Sequence, residues 1–290
     1  MQQIEPVTEK QKEYYSELPL PEPPSAPSPI GPNNPPWSSP IALGIWILSV
    51  LLIFFVPLLL LFPYVFSVTS GNLDQDAVSR IATSDPIGIL IQVLAILPVH
   101  LLTLAAAWFV VTNQRSFAFT EMLGWESGGM RWWHYLLILF GFLAVMIIVG
   151  NLVPEQENDV LRIIRSSRWA LYTVAFFATF TAPLVEELVY RGLLYSAIQR
   201  SIGTYGAVAL VTFLFALVHV PQYYPSYSTI FLLTLLSLIL TSVRVFTGNL
   251  LPCIILHTIF NGFQSAILLA QPQAQTPAPS VEHIAALIRF

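Results

Sequence analysis

Cysteine and charge are what this chain has least of. Among 290 residues there is one cysteine, Cys253, set in an apolar run. It has no internal partner, so a disulfide scaffold is excluded and no redox compartment is implied. Charged residues make up 10% of the chain and the formal net charge is -4. With no basic patch or stripe, a nucleic-acid partner is excluded as well. A cleavable leader is also missing. The first apolar stretch begins near Ile41, too far from Met1 for the usual leader layout, so the first span is expected to stay as an anchor.

What is there is apolar. Hydrophobic residues are 55% of the chain and the mean hydropathy is +0.69, against roughly 45–50% apolar usage in soluble domains. Apolar runs of about 20 residues recur, the length that crosses a bilayer as a helix. The expected fold class is all-α, a polytopic integral membrane protein of about 7–8 transmembrane helices with the lipid bilayer as its surroundings. Residues 1–40 read as a disordered, proline-rich tail, residues 41–270 as the transmembrane domain, and residues 271–290 as a short tail. In that last tail, Ile284 to Phe290 is expected to touch the membrane surface.

The apolar segments fall at about 41–67, 87–112, 133–153, 169–200, 205–220, 228–247 and 250–270. Pro57 and Pro63 are expected to kink or end the first. The third is entered through Trp132-Trp133-His134-Tyr135, an interfacial aromatic cluster in which His134 belongs to the belt. His100 reads as a packed or cavity-lining residue. Before the fourth segment, Arg162, Arg165 and Arg168 at spacing three suggest a short helix on the membrane surface. The fourth is either one tilted helix or two half-helices broken near Pro183. Lysine and arginine divide almost evenly between the two sides, so positive charge assigns no orientation.

Halfway along the fourth segment stands Glu186-Glu187-Leu188-Val189-Tyr190-Arg191-Gly192. Each ionisable group costs about 2.5–3.5 kcal/mol in a membrane on insertion scales, which makes the cluster a functional candidate. In a helix, Glu187 and Arg191 share a face at spacing four, the acid first, as an ion pair prefers. Glu186 is turned about 100° away and left over. Two further segments carry polar residues one turn apart: Phe215 and His219, then His257 and Asn261. A carboxylate beside an imidazole can take a proton from water. A second imidazole and an amide can donate to the oxyanion formed on a carbonyl. That set suits attack of water on a peptide bond. A zinc site built from Glu186, His219 and His257 is the rival, although the helical signature H-E-x-x-H is missing. No G-x-S-x-G motif offers a serine nucleophile.

Glu186-Glu187-x-x-x-Arg191, Phe215-x-x-x-His219 and His257-x-x-x-Asn261 resemble the three motifs of the CPBP family, in order and in spacing. These are intramembrane glutamic endopeptidases that include the CAAX prenyl proteases and the Abi, or bacteriocin-processing, proteins. The resemblance covers residues 170–265 and implies motifs meeting in a polar cavity enclosed by the helices. It also implies roles: Glu186 as the base that activates water, His219 assisting, His257 and Asn261 at the oxyanion, Glu187 and Arg191 as support. The cofactor expected is none, with zinc the alternative. The partner is a peptide or protein substrate, prenylated or bacteriocin-like. Two other classes stay open, a proton-coupled transporter and a silent immunity factor or scaffold. Against the transporter, nothing in the first three segments echoes the acidic motif as an inverted repeat would.

Overall fold

The computed structural model describes residues 29–271. The tail up to residue 28 and the stretch from Ile284 to Phe290 lie outside them. Helix α1, Ser39–Val68, starts with Pro40 at its first turn, where a missing N–H costs nothing. It runs 30 residues, about 45 Å at 1.5 Å each, straight through Pro57 and Pro63. Neither proline ends it; membrane helices tolerate such residues where neighbouring helices, hydroxyl side chains or small changes of helical register satisfy the freed carbonyls. Most of its surface faces away from the protein, as expected for a helix apolar all round.

The second segment is two helices. Short α2, Gln75–Thr83, is capped by the Asp74 carboxylate, which accepts from the Ala77 N–H. Then α3, Pro86–Leu94, is capped by Asp85, which accepts from the N–H groups of Ile87 and Gly88. A Cβ on Gly88 would lie 2.3 Å from the Ile81 carbonyl oxygen, so only glycine lets α2 pack this closely. Helix α4, Ile96–Val111, continues after Ala95. The short α5, Phe119–Leu123, precedes α6, Trp132–Leu152. The expected surface helix forms as α7, Asp159–Ser166, capped by Asn158. Its Ile164 is buried, while Arg162 pairs with Asp159 and Arg165 with Glu157 on the outside.

From Arg168 to Tyr223 the chain is helical for 56 residues, about 84 Å, far beyond the ~30 Å of a hydrocarbon core. It comprises α8 (Arg168–Phe176), a first π-helical turn π1 (Phe177–Thr181), α9 (Ala182–Glu187), a second π stretch π2 (Leu188–Tyr195) and α10 (Ser196–Tyr223). Gly203 breaks α10 with φ 75° and ψ 169°, a conformation open to glycine and strained for other residues. The part after the break packs back along π2. Helices α11, Tyr227–Thr247, and α12, Leu251–Ala270, complete the bundle. Among the described residues six stretches are long and apolar enough to cross a membrane, close to the 7–8 helices expected from hydropathy, and the 56-residue one is interrupted at Gly203.

The two largest of four apolar cores among the described residues lie around the middle of the bundle. One surrounds π2, where Leu188, Leu193 and Leu194 meet Phe215, Leu123 and Trp37. The other joins α6, α11 and α12 through Tyr135, Leu139, Phe142, Leu240, Leu256 and Phe260. Residues 29–38 lie against the first core. The Trp37 indole N–H donates to the Leu193 carbonyl (3.2 Å), and the fully buried Arg244 donates to Asn33 Oδ1 (2.8 Å) and the Pro32 carbonyl (2.7 Å). Arg200 donates to the Trp37 carbonyl at 2.6 Å.

Candidate active site

The acidic motif sits where the helical register changes twice. Pro183 has no N–H to offer to a carbonyl one turn back, and the chain answers with the π-turn π1 just before it. The fourth segment is thus neither a plain helix nor two broken halves. It is continuous, with a π-turn on either side of the two glutamates. Such bulges leave carbonyls off the regular ladder and recur at functional sites.

Glu187 and Arg191 form the pair expected from spacing four, both fully buried, with Arg191 Nη1 2.8 Å from Glu187 Oε1. Arg191 uses the rest of its guanidinium on α11. Nε donates to Thr241 Oγ1 (3.1 Å), and Nη2 donates to the Ser237 carbonyl and hydroxyl (2.9 Å each). His257 Nδ1 donates to the same Glu187 oxygen at 2.7 Å. The carboxylate therefore locks α9, π2, α11 and α12 into one register. Its second oxygen, Oε2, is buried without a hydrogen bond.

Glu186 differs in each respect. Its side chain is 25% exposed, and the basic group that comes within 4 Å of it, His257 Nε2 at 3.8 Å, is beyond hydrogen-bonding range. Two carboxylates and one guanidinium leave a surplus negative charge, and the carboxylate without a fixed partner is Glu186.

His219, on α10, donates from Nδ1 to the Phe215 carbonyl at 2.7 Å. A carbonyl can only accept, so Nδ1 holds the hydrogen and Nε2 is left as the acceptor. Phe215 explains why an aromatic stands one turn before this histidine. Its ring lies 4.5 Å from that of His219, 5.1 Å from the Arg191 guanidinium and 6.3 Å from the His257 ring. It is the wall that orders the other three. Asn261 sits one turn beyond His257, and its amide donates to the Ala178 carbonyl in π1 at 2.8 Å. That ties α12 to the π-turn and leaves one amide hydrogen.

Of the six residues singled out from sequence, Glu186, Glu187, Arg191 and His257 lie together, Phe215 stands between them and His219, and Asn261 is bound to π1 one turn past His257. Two more belong to the neighbourhood. His100, on α4, bonds through Nδ1 to Thr181 Oγ1 at 2.8 Å, and the charge acting on its ring is Glu186. Tyr223 stacks near-parallel to His219 at 6.4 Å, and its hydroxyl also lies in the field of Glu186. A histidine in an apolar span is itself a functional signal because of its cost there. His100 carries that signal, whereas Tyr223, a common interfacial residue, carries none. Among the described residues no group of three His, Cys, Asp or Glu side chains stands close enough together to hold a metal ion.

The helices and the buried charge cluster define a multi-pass integral membrane protein with a polar site among its spans. Residues 168–263 match the family described as type II CAAX prenyl endopeptidase Rce1-like. This segment runs from the first residue of α8 into α12, contains all three motifs, and bears out the resemblance to the CPBP and CAAX protease family. The family is one of membrane proteases, so the coarse class is a hydrolase of peptide bonds. No curated protein and no solved structure matches the chain.

Proposed function

We propose that the chain is an intramembrane endopeptidase that cleaves by glutamate-activated water. The carrying observation is the inequality of the two glutamates. Glu187 is buried and bound to Arg191 and His257, whereas Glu186 is partly exposed and without a hydrogen bond. Glu186 takes a proton from a water molecule as the water oxygen attacks the substrate carbonyl, with His219, whose Nε2 is left free, assisting. The C–O bond forms, and the oxyanion accepts from the remaining Asn261 amide hydrogen and from His257 Nε2 when that ring carries both hydrogens. The C–N bond then breaks and Glu186 returns the proton to the departing nitrogen. Glu187 and Arg191 hold His257 and α9 in place and touch no reacting atom.

Such a mechanism needs no metal, and among the described residues no three His, Cys, Asp or Glu side chains are grouped closely enough to hold one. The substrate class suggested first by the matched family is a prenylated C-terminal peptide; a bacteriocin-like peptide is the second. A transporter would have to let its buried charges exchange partners. Here Arg191 is held by four hydrogen bonds, which favours a fixed scaffold. The test is cleavage of a farnesylated CAAX peptide by the purified protein in lipid vesicles. Glu186→Gln and His219→Ala should abolish cleavage while the protein melts as before, and a chelator should leave the rate unchanged. Loss of activity on chelation, restored by Zn²⁺, would reject the metal-free mechanism.

A further inference from the structure

Ahead of the first span, Gly31 and Asn34 exchange backbone hydrogen bonds. The Gly31 N–H donates to the Asn34 carbonyl at 3.1 Å, and the Asn34 N–H donates to the Gly31 carbonyl at 3.0 Å. Pro32 and Asn33 stand at the tip of this tight turn, with proline at the position turns favour for it. The tip meets Arg244, a fully buried residue in the last turn of α11. Nη1 donates to Asn33 Oδ1 at 2.8 Å and Nη2 to the Pro32 carbonyl at 2.7 Å. A guanidinium only donates, so the Asn33 atom facing it is the amide oxygen. Arg244 Nε is buried without a partner. The turn thus supplies both hydrogen bonds that this cation makes among the described residues. Without it, a buried charge would be left uncompensated.

Arg244 is also the last rung of a seam that starts at the candidate site. On α11, Ser237 and Thr241 precede it by one and two turns, and both hold Arg191 of π2. On π2, Tyr195 follows Arg191 by four residues, and its ring lies 5.6 Å from the Arg244 guanidinium. From Arg191 the contacts run on to Glu187, and from Glu187 to His257. The turn is drawn onto the same elements by two more bonds. The Trp37 indole reaches the Leu193 carbonyl at the end of π2, and the Gln199 amide donates to the Asn33 carbonyl at 3.2 Å.

We propose that Arg244 is a positioning residue for the reaction, clasped by the Pro32–Asn33 turn. Together they fix α11 against π2, so that Ser237 and Thr241 hold Arg191, and Arg191 holds Glu187 and His257. This rests on cleavage taking place at that site. Arg244 touches no reacting atom and exchanges no proton. Loosening the clasp slackens the seam from its far end, so the effect falls on the rate of the bound complex and not on substrate binding.

Asn33 is exposed and belongs to neither of the two large apolar cores, so it can be replaced without disturbing their packing. Asn33→Ala removes the oxygen that meets Arg244, whereas Asn33→Asp keeps one there. On the farnesylated peptide in vesicles, Asn33→Ala should lower kcat at least about 5-fold, the lower end of usual coupling between separate sites, with KM within about 3-fold. Asn33→Asp should stay within about 2-fold of the wild type. Hydrogen exchange of residues 29–38, read by mass spectrometry, should rise in Asn33→Ala and not in Asn33→Asp. Both assays are run at a temperature where tryptophan fluorescence shows each protein folded, so that lower stability alone does not move kcat. Wild-type kcat in Asn33→Ala would overturn the proposal whether or not exchange rises, since the site would not depend on the clasp. Equal loss in both variants would also overturn it, because the oxygen facing Arg244 would not be what matters. A higher KM at unchanged kcat would do the same, by assigning the turn to substrate binding. Wild type and Glu186→Gln are run beside them. If the wild type leaves the peptide intact, the reading as a peptidase fails and takes the clasp with it. If Glu186→Gln is dead while Asn33→Ala cleaves as the wild type does, only the clasp fails.

Discussion

Replacing Arg191 by methionine keeps an unbranched apolar stem while deleting the guanidinium and its charge. What is lost can be read from the structure. Glu187 Oε1 loses its 2.8 Å partner, Oε2 already has none, and His257 alone then faces a carboxylate that is fully buried. Removing one member of a buried ion pair costs about 3–5 kcal/mol, because the remaining charge cannot recover its water. For a chain of this size that corresponds to a melting temperature lower by about 6–20 °C. The Ser237 carbonyl is spared part of the damage because the Thr241 hydroxyl still donates to it at 2.8 Å. The double variant Glu187→Met/Arg191→Met removes the stranded charge and should recover at least half of the lost stability, since apolar replacement of a whole buried pair is often neutral. It should still be inactive, because His257 has lost the group that holds Nδ1. Thermal unfolding in detergent, followed by tryptophan fluorescence, reads all three proteins. A single variant melting within about 2 °C of wild type would refute the reasoning. So would a double variant no more stable than the single one, since the loss would then not come from an uncompensated charge.

Two further expectations concern packing around π2. A Cβ on Gly192 would lie 3.0 Å from Leu123 Cδ2, 3.3 Å from Leu188 Cδ1 and 3.4 Å from Leu250 Cδ2, all in a sealed core. Gly192→Ala should therefore destabilise by about 1–3 kcal/mol through overpacking, measured by the same melting assay. Trp37→Phe keeps an aromatic in the core but removes the N–H that reaches the Leu193 carbonyl. Because the Ser196 hydroxyl also donates there, the loss should stay near the lower end of about 0.5–1.5 kcal/mol.

The spans were legible because a bilayer imposes its own length on apolar runs. Segment limits near 228–247 and 250–270 agree closely with Tyr227–Thr247 and Leu251–Ala270. The choice of Glu187 rather than Glu186 as the partner of Arg191 was legible too. Spacing four pairs Glu187 with Arg191, and Glu186 is rotated out of that pair. Contacts that cross the bundle were not. Nothing near His257 in the chain says that its Nδ1 lies on Glu187, 70 residues away. The Asn261 amide ends on a carbonyl that is available only because π1 departs from the α-helical ladder, and π-turns leave no periodic trace in apolar sequence. The docking of residues 29–38 rests on Arg244 and Trp37, single residues whose partners lie far along the chain. His100 reads as a packed or cavity-lining residue because its chain neighbours are apolar; its partner Thr181 comes from another helix.

The most direct test of glutamate-activated cleavage does not require the substrate to be known. Membranes from cells producing the wild-type protein or Glu186→Gln at equal levels are compared for the terminal peptides of their proteins by mass spectrometry. New termini should appear with the wild type and be missing with Glu186→Gln, the variant melting as the wild type does. The same new termini at the same abundance from Glu186→Gln would contradict the assignment of Glu186 as the base.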